Sequence, residues 1–344
     1  MGTRLGDIIK AEVITLQDLR DKAVAVDAFN TLYQFLSTIR QPDGTPLMDR
    51  EGRVTSHLSG LFYRNLNLLE NGIRPVYVFD GESPPLKEPE KERRRAVREA
   101  AREEWERALE EGRIEDARKA ARASSRLTSE MIEESKMLLR AMGIPVVQAP
   151  SEGEALAAQM TRKGIVWASA SQDNDSLLYN CPRMIRNLSI TGRRKMGRSK
   201  SYKIVYPELI ELDTNLRLLG ITREQLIDIA ILVGTDYNEK VPGIGPKTAL
   251  KLVKEYGNLE TIQKEKGIEL NFPYQEIREI FLHPPEVEVE EPSWSDPNPD
   301  VIQRILCEEH DFSEARVTSA LERLNKRLEE LAESATQSSL TDFF

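Results

Sequence analysis

Cysteine and histidine are scarce. The 344-residue chain has two cysteines, Cys181 and Cys307, and three histidines, His57, His283 and His310, with no ligand spacing among them. That excludes a Cys/His zinc site and argues against a disulfide framework. Histidine general-base chemistry has little room, so any catalysis has to rest on carboxylates, hydroxyls, lysine or arginine. No apolar run approaches the ~20 residues of a membrane span. The start, "MGTRLGDIIKAEV", lacks the basic opening and apolar core of a signal peptide, and Gly6 stands where a myristoylation signal has Ser or Thr. An intracellular protein with no membrane partner is expected. Positive charge is in deficit too: 48 Lys and Arg against 57 Asp and Glu leave −9, which taken alone argues against a polyanionic partner.

What is present is a charged, globular chain, 40% hydrophobic and 31% charged, long enough for one large domain or a domain with insertions. Four short runs read as buried strands: "KAVAVDAF" at 22–29, "RPVYVFDG" at 74–81, "IPVVQAP" at 144–150 and "GIVWASASQDND" at 164–175. Helical patterns between them predict an α/β fold around a central, mainly parallel sheet. Residues 87–126 carry thirteen basic and eleven acidic side chains at helical spacing, which predicts exposed or bridging helices. Residues 207–282 read as mainly helical, 283–300 as an extended connector, and 313–333 as a final helix before a short tail.

Carboxylates punctuate the strands. Asp27 and Asp80 end the first two, Glu152 and Glu154 follow the third, Asp173 and Asp175 follow the fourth, and Asp236 closes a later apolar helix. A single Asp after a strand is commonly a helix cap. Six acids at four strand ends are better explained as one site, because ligands of open α/β sheets bind beyond the carboxyl ends of the strands. Such acids need cations to stay ionised together. Oxygen-only ligation points to Mg²⁺, with Mn²⁺ as substitute. A pair of such ions ~4 Å apart suits in-line hydrolysis of a phosphodiester. "SEGE" at 151–154 also matches a capping box, but a Glu154 turned toward a metal cannot reach back to close it; Ser151 is expected to cap the helix while Glu152 and Glu154 both face the cations.

Three further segments have two readings each. "RRKMGRSKSYK" at 193–203 includes Arg193, Arg194 and Lys195 and no acid; it is a phosphate-contacting loop or a solvated turn. "GIGPK", with Gly243, Gly245 and Lys247 ahead of Lys251, is an anion-binding helix start or a plain connector. "QSSLTDFF", with Gln337, Leu340, Phe343 and Phe344, is a partner-docking tail, one 3₁₀ turn placing Leu340 and Phe343 on one side, or a packed or frayed end.

Together, "VDAFNTLYQFL", "TSHLSGLFYRNLNLLENGIRPVYVFDG", "MGIPVVQAPSEGEALAA", "SQDNDSLLY", "LVGTDYNEKVPGIGPKTAL" and "QSSLTDFF" resemble the flap endonuclease family of structure-specific 5′ nucleases along almost the whole chain. The resemblance implies a PIN-like nuclease core at 1–283 with a helical arch at 84–127 and a helix-two-turn-helix region at 236–257. A C-terminal extension at 284–333 would pack on the core, and 334–344 would be a flexible tail. It implies that the seven acids hold two Mg²⁺ ions and that Lys87 and Arg94 stand beside the scissile phosphate. Tyr33 would stack near the reacting nucleotide, with Arg64 and Gly2 at the same centre. The glycines and lysines of "GIGPK" would grip duplex DNA with a monovalent cation, and the last residues would bind a sliding clamp.

The implied activity is Mg²⁺-dependent removal of 5′ flaps from branched DNA, with 5′–3′ exonuclease action, in Okazaki fragment maturation and base excision repair, by a monomer. Alternatives are a sister 5′ nuclease for bubbles or junctions, and a non-catalytic DNA and clamp adaptor, which would need one of the seven acids missing. The chain stops at Phe344 without the basic extension usual in eukaryotic members, so an archaeal type is expected. Gly153 stands where alanine is common and is expected to loosen the helix start without moving a ligand.

Overall fold

The structure is a computed structural model and describes Thr3 and residues 5–190, 192–195 and 202–341, without the side chains of 190, 193–195, 202–203 and 334–341. In chain order come β1 (Glu12–Val13), β2 (Ala23–Asp27), α1 (Ala28–Thr38), α2 (Ser56–Glu70) and β3 (Arg74–Phe79). The charged insertion forms α3 (Glu88–Glu110) and α4 (Ile114–Ala123). Then follow α5 (Ser129–Ala141), β4 (Val146–Gln148), α6 (Gly153–Arg162), β5 (Ala168–Ala170), α7 (Asp175–Leu178) and β6 (Arg183–Arg186). A hairpin of β7 (Gly192–Lys195) and β8 (Tyr202–Val205) precedes β9 (Glu208–Glu211). The remainder is helical: α8 (Leu212–Leu219), α9 (Arg223–Val233), α10 (Pro246–Tyr256), α11 (Leu259–Lys266), α12 (Tyr274–Leu282), α13 (Pro299–Gln303) and α14 (Glu314–Thr341).

Seven strands form one sheet in the order β1-β9-β6-β5-β2-β3-β4. From β6 to β4 neighbours run parallel, while β9 is antiparallel to both β6 and β1. The sheet is therefore mixed, with an antiparallel edge that the mainly parallel expectation lacked; β1 has two exposed residues and β6 reads "RMIR", too short for periodicity to reveal. Alternation sorts the central side chains. Val24, Val26, Tyr77 and Phe79 enter the core beneath α1, α2 and α5, and Ala23, Ala25, Val76 and Val78 enter the opposite one against α6. Burial on both faces is why these strands are continuous apolar runs.

After β2 the chain moves outward to β3 and β4, then returns to place β5 and β6 on the other side of β2. The order thus reverses between β2 and β5, and the crevice beyond their carboxyl ends is the position where this architecture binds ligands.

The insertion is a helical hairpin. Among the described residues of α3 only Ala108 is buried, and pairs such as Arg95–Glu99 (2.9 Å) and Arg102–Glu106 (3.0 Å) support the rest. Its partner α4 buries Ala117, Ala120 and Ala121, and Arg118 reaches the Pro42 carbonyl. Residues 283–298 form no helix or strand, as expected of a connector, and Trp294 pins them through an Nε1 hydrogen bond to the Pro75 carbonyl (2.8 Å). The final helix α14 packs on α2 and continues to Thr341, past the expected end at 333, so what reads as a tail begins in helical backbone.

Candidate active site

All seven acids lie at this crevice within one electrostatic network. Asp27 ends β2 and caps α1, accepting the Asn30 N–H at 2.9 Å; Asn30 Nδ2 donates to Asp173 Oδ2 at 2.9 Å. Ser171 Oγ donates to Asp27 Oδ2 at 3.2 Å and lies 3.5 Å from Glu154 Oε1. Asp80, just after β3, accepts the Gly153 N–H at 2.7 Å, and Asp175 accepts the Thr3 N–H at 2.7 Å. Opposite them, Lys87 Nζ lies 2.6 Å from Glu152 Oε2 and 3.3 Å from Asp236 Oδ2, and Arg94 Nη2 donates to Asp236 Oδ1.

The charge is unbalanced. Burial, then repulsion from Asp80 and Asp173, pushes Asp27 up to about 7 against its hydrogen bonds. Burial with Glu152 and Asp236 nearby pushes Asp80 up to about 6. Burial with Asp236 and Asp173 does the same for Asp175, to about 6, and burial with Asp175, Asp27 and Asp173 raises Glu154. Lys87 is raised although burial acts against it, because Glu152 and Asp236 hold its proton. Among the described residues no three His, Cys, Asp or Glu stand ready to hold a metal as they are. Lys87 and Arg94 draw Glu152 and Asp236 toward themselves, and the other acids repel one another. The donor set nevertheless fits hard divalent cations: it is all carboxylate, and at Asp27, Asp80, Glu154 and Asp175 burial and mutual repulsion favour the protonated form, which added positive charge would reverse.

Two expectations are corrected. The N-cap of α6 is Glu152, not Ser151, and no side chain caps it; Glu154 leaves the box open and turns toward Ser171 and the acids, as expected. The Asp80 carboxylate satisfies the Gly153 N–H instead. Gly153 is also not neutral for the ligands, since a Cβ there would lie 2.7 Å from Asp80 Oδ1 and 3.4 Å from the Val78 carbonyl.

Tyr33 is half-buried on α1, and Arg64 of α2 lines a small cavity under the crevice with Asn30, Thr31, Tyr77 and Gln172. Gly2 lies outside the described residues. Sequence reading missed Asn30, Ser171 and Thr3. Asn30 carried a usable signal, three residues after a strand-ending Asp, where a cap's N–H donor sits.

Farther along, Gly243 has φ +78°, which favours glycine, and Gly245 caps α10 with Pro246 at its first turn. A Cβ on either glycine would meet nothing within 4 Å, and Lys247 and Lys251 are exposed. Arg193, Arg194 and Lys195 lie on β7, a hairpin strand, and their side chains are outside the described residues. So are those of Gln337 and Leu340, and Phe343 and Phe344 altogether.

Comparison with known proteins agrees with this geometry. Residues 4–101 match the XPG N-terminal domain and 143–236 the XPG I-region. Flap endonuclease 1 of Caldivirga maquilingensis is 54% identical over 99% of both chains, and that of Pyrococcus furiosus 53% identical over 100% of this chain and 99% of the other. The solved flap endonuclease-1 from Methanococcus jannaschii superposes with a TM-score of 0.70 at 41% identity, covering 96% of this chain and 99% of that one. The catalytic core of Rad2 in complex with DNA substrate also gives 0.70, at 26% identity, over 94% of this chain and 100% of that one. With relatives more than half identical over almost the full length of both chains and a solved member of the same fold, this chain belongs to the flap endonuclease family, archaeal type.

Proposed function

We propose that the protein is a structure-specific nuclease that removes 5′ flaps at junctions of single-stranded and duplex DNA during replication and repair, with 5′–3′ exonuclease action. The observation that carries this reading is the network of seven carboxylates at the sheet's switch point, faced by Lys87 and Arg94 from the base of the insertion. Asp27, Asp80, Glu152, Glu154, Asp173, Asp175 and Asp236 hold divalent cations, two Mg²⁺ ions in the finer reading, with Mn²⁺ able to replace them. When bound, such ions polarise a phosphodiester and acidify water. Lys87 and Arg94 exchange their carboxylate partners for the scissile phosphate as DNA enters, and stabilise its developing charge. Tyr33 stacks on the nucleotide there, and Arg64 and Gly2 complete the centre.

The core at 1–283 is of the PIN-like kind. The α3–α4 hairpin within 84–127 acts as the arch over the 5′ strand, and the 236–257 region holds the duplex. Gly243 and Gly245 leave open space for a phosphate backbone, steadied by a monovalent cation. Lys247, Lys251 and the hairpin's Arg193, Arg194 and Lys195 contact phosphates without reading sequence. The 284–333 extension braces the core, and the end from 334, with Gln337, Leu340, Phe343 and Phe344, docks on a sliding clamp. The enzyme acts inside the cell as a monomer. Comparing Mg²⁺-dependent cleavage of a double-flap DNA with that of a bubble and a four-way junction tests the reading. Preferred cleavage at the flap base is expected; preference for bubble or junction would reassign the chain to a sister nuclease.

A further inference from the structure

Asn174 lies between Asp173 and Asp175 in the loop after β5 and is only 6% exposed. Its Nδ2 donates to the Thr3 carbonyl at 3.1 Å, while the Thr3 N–H donates to Asp175 Oδ1 at 2.7 Å. Adjacent residues at the start of α7 therefore grip both backbone groups of one residue more than 170 positions away. Thr3 is itself 2% exposed, and Leu5 behind it is fully buried in the same cluster as Leu177 and Leu178 of α7. The grip is thus anchored at both ends. Asn174 Oδ1, in contrast, is buried with no hydrogen-bond partner among the described residues. A buried unpaired carbonyl is unfavourable, so the contribution of Asn174 lies in its donor to Thr3.

Resting on the proposed metal site, we infer that Asn174 is a positioning residue: by locking Thr3 it holds the Asp175 carboxylate in place and so sets the affinity of the site for divalent cations. The role is separate from ligation and from contact with DNA.

The experiment uses the full chain, stripped with EDTA and titrated calorimetrically with Mn²⁺, as wild type, Asn174→Ala and Asn174→Asp. Asn174→Ala is expected to weaken Mn²⁺ binding about fivefold, the size of one hydrogen bond. The Mg²⁺ half-saturation of cleavage should rise by a similar factor, with the rate at saturating Mg²⁺ kept within about twofold. Asn174→Asp preserves size, removes the donor and adds a negative charge that by itself would tighten cation binding. Weaker binding in this variant too separates positioning from charge, and it carries the test should Asn174→Ala not fold. Wild-type binding with both variants unchanged or tighter overturns this inference alone. A wild-type chain that binds no Mn²⁺ overturns the metal site and the inference together.

Discussion

At the carboxyl ends of the strands Asp27, Asp80, Glu154 and Asp175 are all held above the usual carboxylate range, whereas Asp49 and Glu134, where α2, α5 and the C-terminal segment meet, are each held down to about 2. In the second cluster burial also opposes ionisation, but partners outweigh it. His57 Nε2 lies 3.1 Å from one Glu134 oxygen and His310 Nε2 3.4 Å from the other. His310 Nδ1 and Arg53 Nε lie 3.0 and 2.7 Å from Asp49 Oδ2. Each carboxylate there faces basic side chains, with His310 between the two, and the set ties the C-terminal segment to the 47–54 loop and two core helices. The crevice has seven acids facing Lys87 and Arg94. A buried cluster that neutralises itself holds the fold together, while one that cannot calls for positive charge from outside, which the proposed divalent cations would supply.

The sharpest way to break that contrast is Asp27→Asn. Asparagine can still cap α1 and accept from Ser171, so shape is kept and one charge removed. Cleavage in Mg²⁺ is expected to fall roughly a thousandfold or more while flap DNA still binds in a gel-shift titration. In EDTA at pH 8 the variant should be more stable than wild type by about 1–3 kcal/mol, measured by urea unfolding. A variant that remains fully active, or that loses stability, would place the crevice in the same class as the balanced cluster.

Glu134→Ala reverses the pattern. Removing the anion leaves His57 and His310 facing each other without it, and a broken buried ion pair costs about 3 kcal/mol. The melting temperature should drop, while kcat and Mg²⁺ half-saturation, measured well below the melt, stay at wild-type values. A change in the metal dependence instead would show that the two clusters are coupled.

How far sequence reading reached follows the same division. The four apolar runs and the acids ending them were legible because strand periodicity and strand-end position are local properties, and β2, β3, β4 and β5 fall inside the runs that announced them. The balanced cluster was illegible: Asp49 and His310 are 261 positions apart, and neither has a motif around it. Thr3 escaped for the same reason, since its carboxylate partner lies 172 residues away, as did the tie of the Asn30 side chain to Asp173, 143 residues away. The capping pattern misled only about Ser151, where a local rule met a tertiary partner: Asp80, far away in sequence, accepts the Gly153 N–H at this helix start. Helix α4 was hard to place because its buried face is alanine, which hardly registers as an apolar stripe.

The smallest and most discriminating effect is the pH dependence of stability without metal. Asp27, Asp80 and Asp175 have folded values near 7, 6 and 6 against an ordinary 3.8, so between about pH 4 and 7 the folded chain binds more protons than the unfolded one. Their contribution makes stability fall as pH rises through that window. Asp49 and Glu134 are depressed to about 2 from 3.8 and 4.5, so their contribution is complete above about pH 4.5 and is lost as pH falls toward 2. His310 is raised, first by Glu134, so its contribution is full below about 6.5 and is lost as pH climbs through its folded value. Melting temperature in EDTA should therefore peak near about pH 5 and decline on both sides. Saturating Mg²⁺ keeps the crevice acids ionised and removes only their part of the alkaline decline, so the shift it produces should grow from pH 5 to 8. Asp27→Asn should flatten the decline in EDTA, and Glu134→Ala should flatten the acid limb. A melting temperature that climbs steadily from pH 5 to 8 without metal would mean that the crevice, too, is balanced.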